Sequence, residues 1–302
     1  MKNSLLKRKL KTTSIAYLFL APAILIMAIF VMYPVLQGFW LSFYQCDPYS
    51  SEATFIGWDN YRQLIADPQF RITLCNSILY LIVVPIIIIL SLGMAVLVEP
   101  LLPGVNFFRA AWYIPVVTTM VVVGVSFRFI FSEDDGLINE VLKYMGIIQQ
   151  SIPWMTEKWL VLITVMVVTI WKGLGYYMVA FIAALRAVPI EQIEAAIVDG
   201  AKPWSIFRNV KLPNLWPTIT LVAILSSIGA LQAFDEIYVL TRGAVPEATT
   251  LVYYIYEMGF DASQSSYEYG YASAMAVVLF FIVLAFTALN LWTMRKGGWS
   301  ND

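Results

Sequence analysis

The sequence predicts an all-α polytopic membrane protein with six transmembrane helices, and three observations carry that expectation. Apolar residues make up 60% of the 302 positions and charged residues only 13%, with a mean hydropathy of +0.74, far from the balance of a water-soluble domain. The apolar residues do not alternate at core-forming spacing. They gather in uncharged blocks, each about as long as the roughly 20 residues a helix needs to cross a hydrocarbon core of about 30 Å. A chain in lipid must satisfy its own backbone N–H and C=O groups, so such blocks read as helices.

The blocks run over 15–38, 76–98, 110–131, 159–185, 215–234 and 269–294. Lys7, Arg8, Lys9 and Lys11 precede the first, as in a secretory signal, but its length makes it an uncleaved anchor. Pro22 and Pro34 inside it are tolerable where neighbouring helices satisfy the freed carbonyls. The third block ends near Arg128, which can snorkel to a boundary. The fourth holds Lys172. A further apolar stretch, 245–256, is too short and contains Glu247. With the N-terminus inside, the inner loops carry 12 Lys/Arg and the outer loops five; this asymmetry puts both termini in the cytoplasm. The outer loops also hold 15 of the 20 acids. The expected organisation is a cytoplasmic segment 1–14, a membrane domain 15–294 that includes a long inner loop 187–214, and a cytoplasmic tail 295–302.

Several functions are excluded at this stage. No His occurs, which removes the commonest general base and metal ligand. No GxxxxGK[ST] loop occurs, so ATP, if used, binds another subunit. Cys46 and Cys75 match no metal spacing, and whether they pair is open. The expectation is no catalytic residue, no metal, no cofactor on this chain and no nucleic-acid partner.

The inner loop between the fourth and fifth blocks carries the most information. Pro189 suits a helix start, Glu191 and Glu194 follow in its first turns, and Gly200 suits a left-handed C-terminal cap. Ile190, Ile193 and Ile197 share one face. Lys202-Pro203 breaks the chain, and a second short helix from Trp204 to Val210 ends at Leu212-Pro213. Spacing alone allows an amphipathic connector on the membrane surface. The residues Glu194-Ala195-Ala196, then Gly200, Val210 and Leu212-Pro213, at intervals of three, nine and one, closely resemble the EAA motif of binding-protein-dependent ABC importer permeases, with Val210 where that family usually has Ile.

The resemblance covers nearly the whole chain and narrows to sugar permeases of the maltose and glycerol-phosphate uptake type. Leu20-Ala21-Pro22-Ala23, Tyr33-Pro34-Val35, Phe55-Ile56-Gly57-Trp58-Asp59-Asn60-Tyr61, Phe108-Arg109, Ile114-Pro115, Asp199-Gly200-Ala201 and Tyr269-Gly270-Tyr271-Ala272-Ser273-Ala274 are its matching stretches. At Thr241-Arg242-Gly243-Ala244-Val245-Pro246 the chain departs from the tighter Thr-x-Gly-Gly-Pro of such permeases. The resemblance implies a type I ABC importer permease in a bacterial or archaeal cytoplasmic membrane. It would work with a second homologous permease, two ATPase subunits that hold ATP and Mg, and an extracytoplasmic solute-binding protein that delivers a sugar. It also implies that Glu194, Ala195, Ala196, Gly200, Val210, Leu212 and Pro213 form the ATPase-coupling element.

A solute path is sought on the flanking spans. Thr169, Lys172, Gly173 and Tyr176 share one face of the fourth span, and Ser226, Gly229, Ala230 and Ala233 offer small residues on the fifth. A buried ammonium costs at least about 2.5 to 3.5 kcal/mol, so Lys172 needs compensation: solute, an ion pair, or water. Asp235 and Glu236, just past the fifth span, could line the external mouth or face a binding protein, although such a pair is more often simply solvated. Disaccharides, longer oligosaccharides, polyol glycosides and glycerol phosphate remain open as solutes, and a channel working without ATP is the rival class.

Overall fold

The computed structural model describes residues 17–46, 53–99, 104–260 and 268–296. Most of the expected terminal segments, and the basic residues that precede the first span, lie outside these. The chain divides into two units, one drawn from Met1–Ala66 and Ile255–Val278, the other from Asp67–Tyr254 and Leu279–Asp302.

In the first unit, α1 (Tyr17–Leu41) is a long apolar helix with none of its apolar window buried, as suits a helix whose surface meets lipid. It contains a π-turn at Ala28–Met32, closed by the Tyr33 N–H on the Ala28 carbonyl. The turn lies immediately before Pro34 and takes up the bond that the proline cannot donate. A two-residue ribbon follows, β1 (Tyr44–Gln45) antiparallel to β2 (Thr54–Phe55), and then α2 (Asp59–Ala66). The buried Asn60 amide donates to the Ser42 and Tyr44 carbonyls at 2.8 and 3.1 Å, and the Tyr61 hydroxyl donates to Ser42 Oγ at 2.8 Å. The Asn60-Tyr61 pair is therefore a clamp that closes the ribbon on the end of α1.

In the second unit, α3 (Pro68–Val98) is the second span, extended at its N-terminal end beyond the expected start at 76. The third block is not one helix. α4 (Val105–Val117) and α5 (Met120–Ile130) meet at a bend of 100°, with Thr118 and Thr119 extended. Pro115 lacks the N–H that would continue the ladder, and the β-branched run from Val116 to Thr119 prefers extended backbone. After a short α6 (Leu137–Tyr144), α7 (Lys158–Arg186) forms the fourth span. The loop between the fourth and fifth blocks follows as α8 (Ile190–Val198) and α9 (Pro203–Asn214). The fifth block begins after a bend of 64°, as α10 (Trp216–Leu231).

α11 (Asp235–Leu240) and α12 (Leu251–Phe260) come next, and α13 (Tyr269–Lys296) is the last span. Among the described residues, four helices are long and apolar enough to cross a membrane, and each bent pair taken as one broken span brings the number to six. The stretch 245–256 does not cross. Its loop is held by the second span: the Asn76 amide donates to the Glu247 and Thr249 carbonyls, both at 2.8 Å, and Ser77 Oγ accepts from the Leu251 N–H at 2.9 Å. These buried polar groups are satisfied by one another.

Candidate functional site

The hairpin of α8 and α9 is built by local chemistry. Gly200 has φ +76°. Its N–H donates to the Ile197 carbonyl, and the Ala201 N–H donates to that of Ala196, each at 2.9 Å. This is a Schellman closure, in which a residue with a Cβ would be strained. Pro189 precedes the first helical residue rather than occupying it. The second helix differs from expectation: it runs through Pro213, because a π-turn at Phe207–Lys211, closed by the Leu212 N–H on the Phe207 carbonyl, accommodates the ring.

No residue of α8 is buried. Glu194, Ala195, Gly200 and Pro213 are exposed, Ala196, Val210 and Leu212 half-buried, and the apolar face is open at Ile197, while Val198 is 87% and Trp204 70% exposed. Two contacts fix this hairpin. The Asn214 amide donates to Gln192 Oε1 at 2.9 Å, and Lys211 pairs with Glu99 at 2.8 Å, both side chains about one-fifth exposed. The C-terminal end of α3 is further capped by Arg109, whose guanidinium donates to the Val98 and Glu99 carbonyls. The hairpin is thus tied to the end of the second span and continues into α10.

Within the second unit, a cavity of about 190 Å³ lies among α3, α4, α7, α10 and α11. Thr169, Lys172, Gly173, Ser226, Gly229 and Ala230 all line it, so six of the eight candidate pathway residues converge on one space. Tyr176 does not line it and is 51% exposed; the neighbouring Tyr177 stands there instead. Ala233 is packed in the hydrophobic core, and its carbonyl accepts from the Thr250 hydroxyl at 2.5 Å. At Gly229 a Cβ would meet nothing within 4 Å, as expected beside open space.

Lys172 is compensated in a way none of its three sequence readings contained. Its ammonium donates to the Pro115, Val116 and Thr118 carbonyls at 3.3, 3.5 and 3.0 Å. These acceptors belong to the C-terminal end of α4, where the break leaves carbonyls without intrahelical partners and the helix dipole favours a cation. α4 and α7 approach closely enough that a Cβ on Gly175 would sit 2.0 Å from the Trp112 carbonyl oxygen. That close approach brings the lysine within reach of the broken end.

Glu236 also lines the cavity, although its sequence context suggested a solvated pair. α11 packs against α5 and α7, which turns this residue inward. Burial pushes the Glu236 carboxyl above the usual carboxylate range, and its own backbone N–H, the nearby Thr169 hydroxyl and the Lys172 charge oppose this only in part. Tyr80 and Thr169 hydroxyls are 2.5 Å apart. With Tyr80 as donor, Thr169 keeps its own hydrogen for the Val165 carbonyl at 3.1 Å. No group of His, Cys, Asp and Glu suited to a metal ion occurs among the described residues.

Comparison with known proteins places this geometry. The chain is 33% identical over 288 residues to the probable ABC transporter permease protein YurN of Bacillus subtilis (strain 168), covering 94% of this chain and 97% of that one. It is 33% identical to the lactose transport system permease protein LacF of Rhizobium radiobacter, covering 93% and 94%. Its fold matches that of a bacterial alginate ABC transporter, solved with an alginate pentasaccharide-bound periplasmic protein, at a TM-score of 0.82 and 20% identity, covering 96% of each chain. The family described as binding-protein-dependent transport system inner membrane component matches residues 81–296. The chain is a member of that family of transport-system inner membrane components.

Proposed function

We propose that this chain is the permease subunit of an ATP-driven importer that moves a carbohydrate across the cytoplasmic membrane, with hydrolysis carried out by separate ATPase subunits. The observation that carries the reading is the α8–α9 hairpin, which is exposed on its apolar face yet braced at Gly200, Asn214 and Lys211. A rigid, uncovered element of this kind suits a lever seated in a groove of a partner. A channel opening without ATP has no use for one. The similarity to a lactose permease over nearly its full length supports a sugar as cargo.

The coupling residues are Glu194, Ala195, Ala196, Gly200, Val210, Leu212 and Pro213. Two ATPase subunits hold ATP and Mg, and their closure moves α8. Both termini face the cytoplasm, on the ATPase side. The motion passes through α9 and the 64° bend to α10, which carries Ser226, Gly229 and Ala230 into the cavity wall. Movement of the hairpin therefore alters the space around Thr169, Lys172 and Gly173. A second permease completes the pathway, and an extracytoplasmic binding protein delivers the solute.

Glu194→Lys tests the lever. Its exposed carboxylate bears on no neighbour within the described chain, so reversal leaves the fold intact. Uptake should fall about tenfold or more through a mispaired charge at the ATPase contact, with the protein still in the membrane. Normal uptake with the ATPases still bound refutes the reading.

A further inference from the structure

We propose that Glu236, and not Lys172, is the residue that sets solute charge in the cavity, so that the permease takes a neutral polyhydroxylated solute and rejects anions. This rests on the carbohydrate reading above and narrows it. An ammonium has three N–H donors and no acceptor. Three carbonyls, those of Pro115, Val116 and Thr118, surround the Lys172 ammonium, one at 3.0 Å and two at 3.3 and 3.5 Å, so its donors are directed mainly to backbone. The lysine is a positioning residue for the broken third span.

Glu236 is the opposite case. An ionised carboxylate offers about four acceptor sites, and the Thr169 hydroxyl on the same wall is already engaged with Tyr80 and the Val165 carbonyl. This carboxyl lines the same cavity as the Ser226 hydroxyl and the Tyr177 ring. A solute entering here must bring O–H donors to the carboxylate and an apolar face to the ring, as a sugar ring does. A phosphate or carboxylate brings only acceptors, and meets a like charge. The cavity, at about 190 Å³, is on the scale of one pyranose ring.

The test uses the assembled transporter in nanodiscs without its binding protein, which would otherwise impose its own selectivity. Saturation-transfer NMR is recorded with methyl α-D-glucopyranoside and methyl β-D-galactopyranoside, each beside its uronate, the same ring carrying a carboxylate. Wild-type protein should transfer to the neutral glycosides at least about tenfold more than to the uronates, since like charges side by side are strongly disfavoured. Glu236→Gln should bring the ratio close to one, and Glu236→Asp, which keeps the charge, should retain the discrimination even if overall binding weakens. Equal transfer to glycoside and uronate in the wild type overturns the proposal, as does an unchanged ratio in Glu236→Gln. No transfer to any pyranoside, together with no uptake of labelled disaccharide by cells carrying the whole system, overturns the carbohydrate reading and this proposal with it.

Discussion

Replacing Lys172 by Met sets two opposed effects against each other. The substitution removes a half-buried ammonium and recovers about half of the roughly 2.5 to 3.5 kcal/mol that inserting a fully buried one costs. It also strips the donor from the Pro115, Val116 and Thr118 carbonyls. An acceptor left without a partner away from water costs about 1 to 3 kcal/mol. Only the Thr118 contact is short, at 3.0 Å, with the others at 3.3 and 3.5 Å, so the full cost applies to one group and a smaller share to two. The orphaned carbonyls still outweigh the relief, and Glu236 loses the charge that offsets its burial. The net expectation is a destabilisation of about 1 to 4 kcal/mol. Equilibrium unfolding of the purified protein in mixed detergent measures it, with Lys172→Arg as the variant that keeps a cation and most of the capping. A Met variant as stable as the wild type, or more so, would show that the ammonium does not hold the break together.

Other consequences follow from the same geometry. Gly175→Val should fail to assemble or lose several kcal/mol, because its Cβ would fall 2.0 Å from the Trp112 carbonyl oxygen and backbone cannot yield as a side chain can; yield and thermal stability read this. Gly200→Val should cost about 1 to 2 kcal/mol or more in the left-handed turn and reduce uptake before it reduces membrane insertion, with Gly200→Asn the milder variant. Lys211→Glu should weaken coupling through loss of the bridge to Glu99, with a pair energy of about 1 kcal/mol. The charge-swapped double variant, Lys211→Glu with Glu99→Lys, should recover it, and failure to recover would assign the loss to Lys211 alone.

What could be read from the sequence was local or set by lipid. The apolar blocks announced the spans because hydrocarbon forces length and composition together. The Schellman closure at Gly200 was legible because a left-handed cap is decided by neighbouring residues. Prolines were harder to interpret. The π-turns before Pro34 and Pro213 let two helices continue, whereas Pro115, followed by four β-branched residues, leads into a full break. A hydropathy window cannot distinguish these outcomes. Nor could it see that a lysine 54 residues beyond Thr118 caps the break. Glu236 escaped for a related reason: after an apolar block an Asp-Glu pair looks solvated, and only the packing of α11 against α5 and α7 turns one of the two inward. Tyr176 and Tyr177 are adjacent on α7, and helical spacing selected the one that the cavity does not use.

The ATPase contact at α8 is the claim on which the functional account stands, and site-specific photo-crosslinking in the intact membrane tests it directly. A photoreactive residue placed at Val198, 87% exposed on the hairpin, should trap an ATPase subunit, while one at Phe129, 74% exposed on α5, should trap none. An ATPase adduct at neither position, or equally at both, would contradict the account.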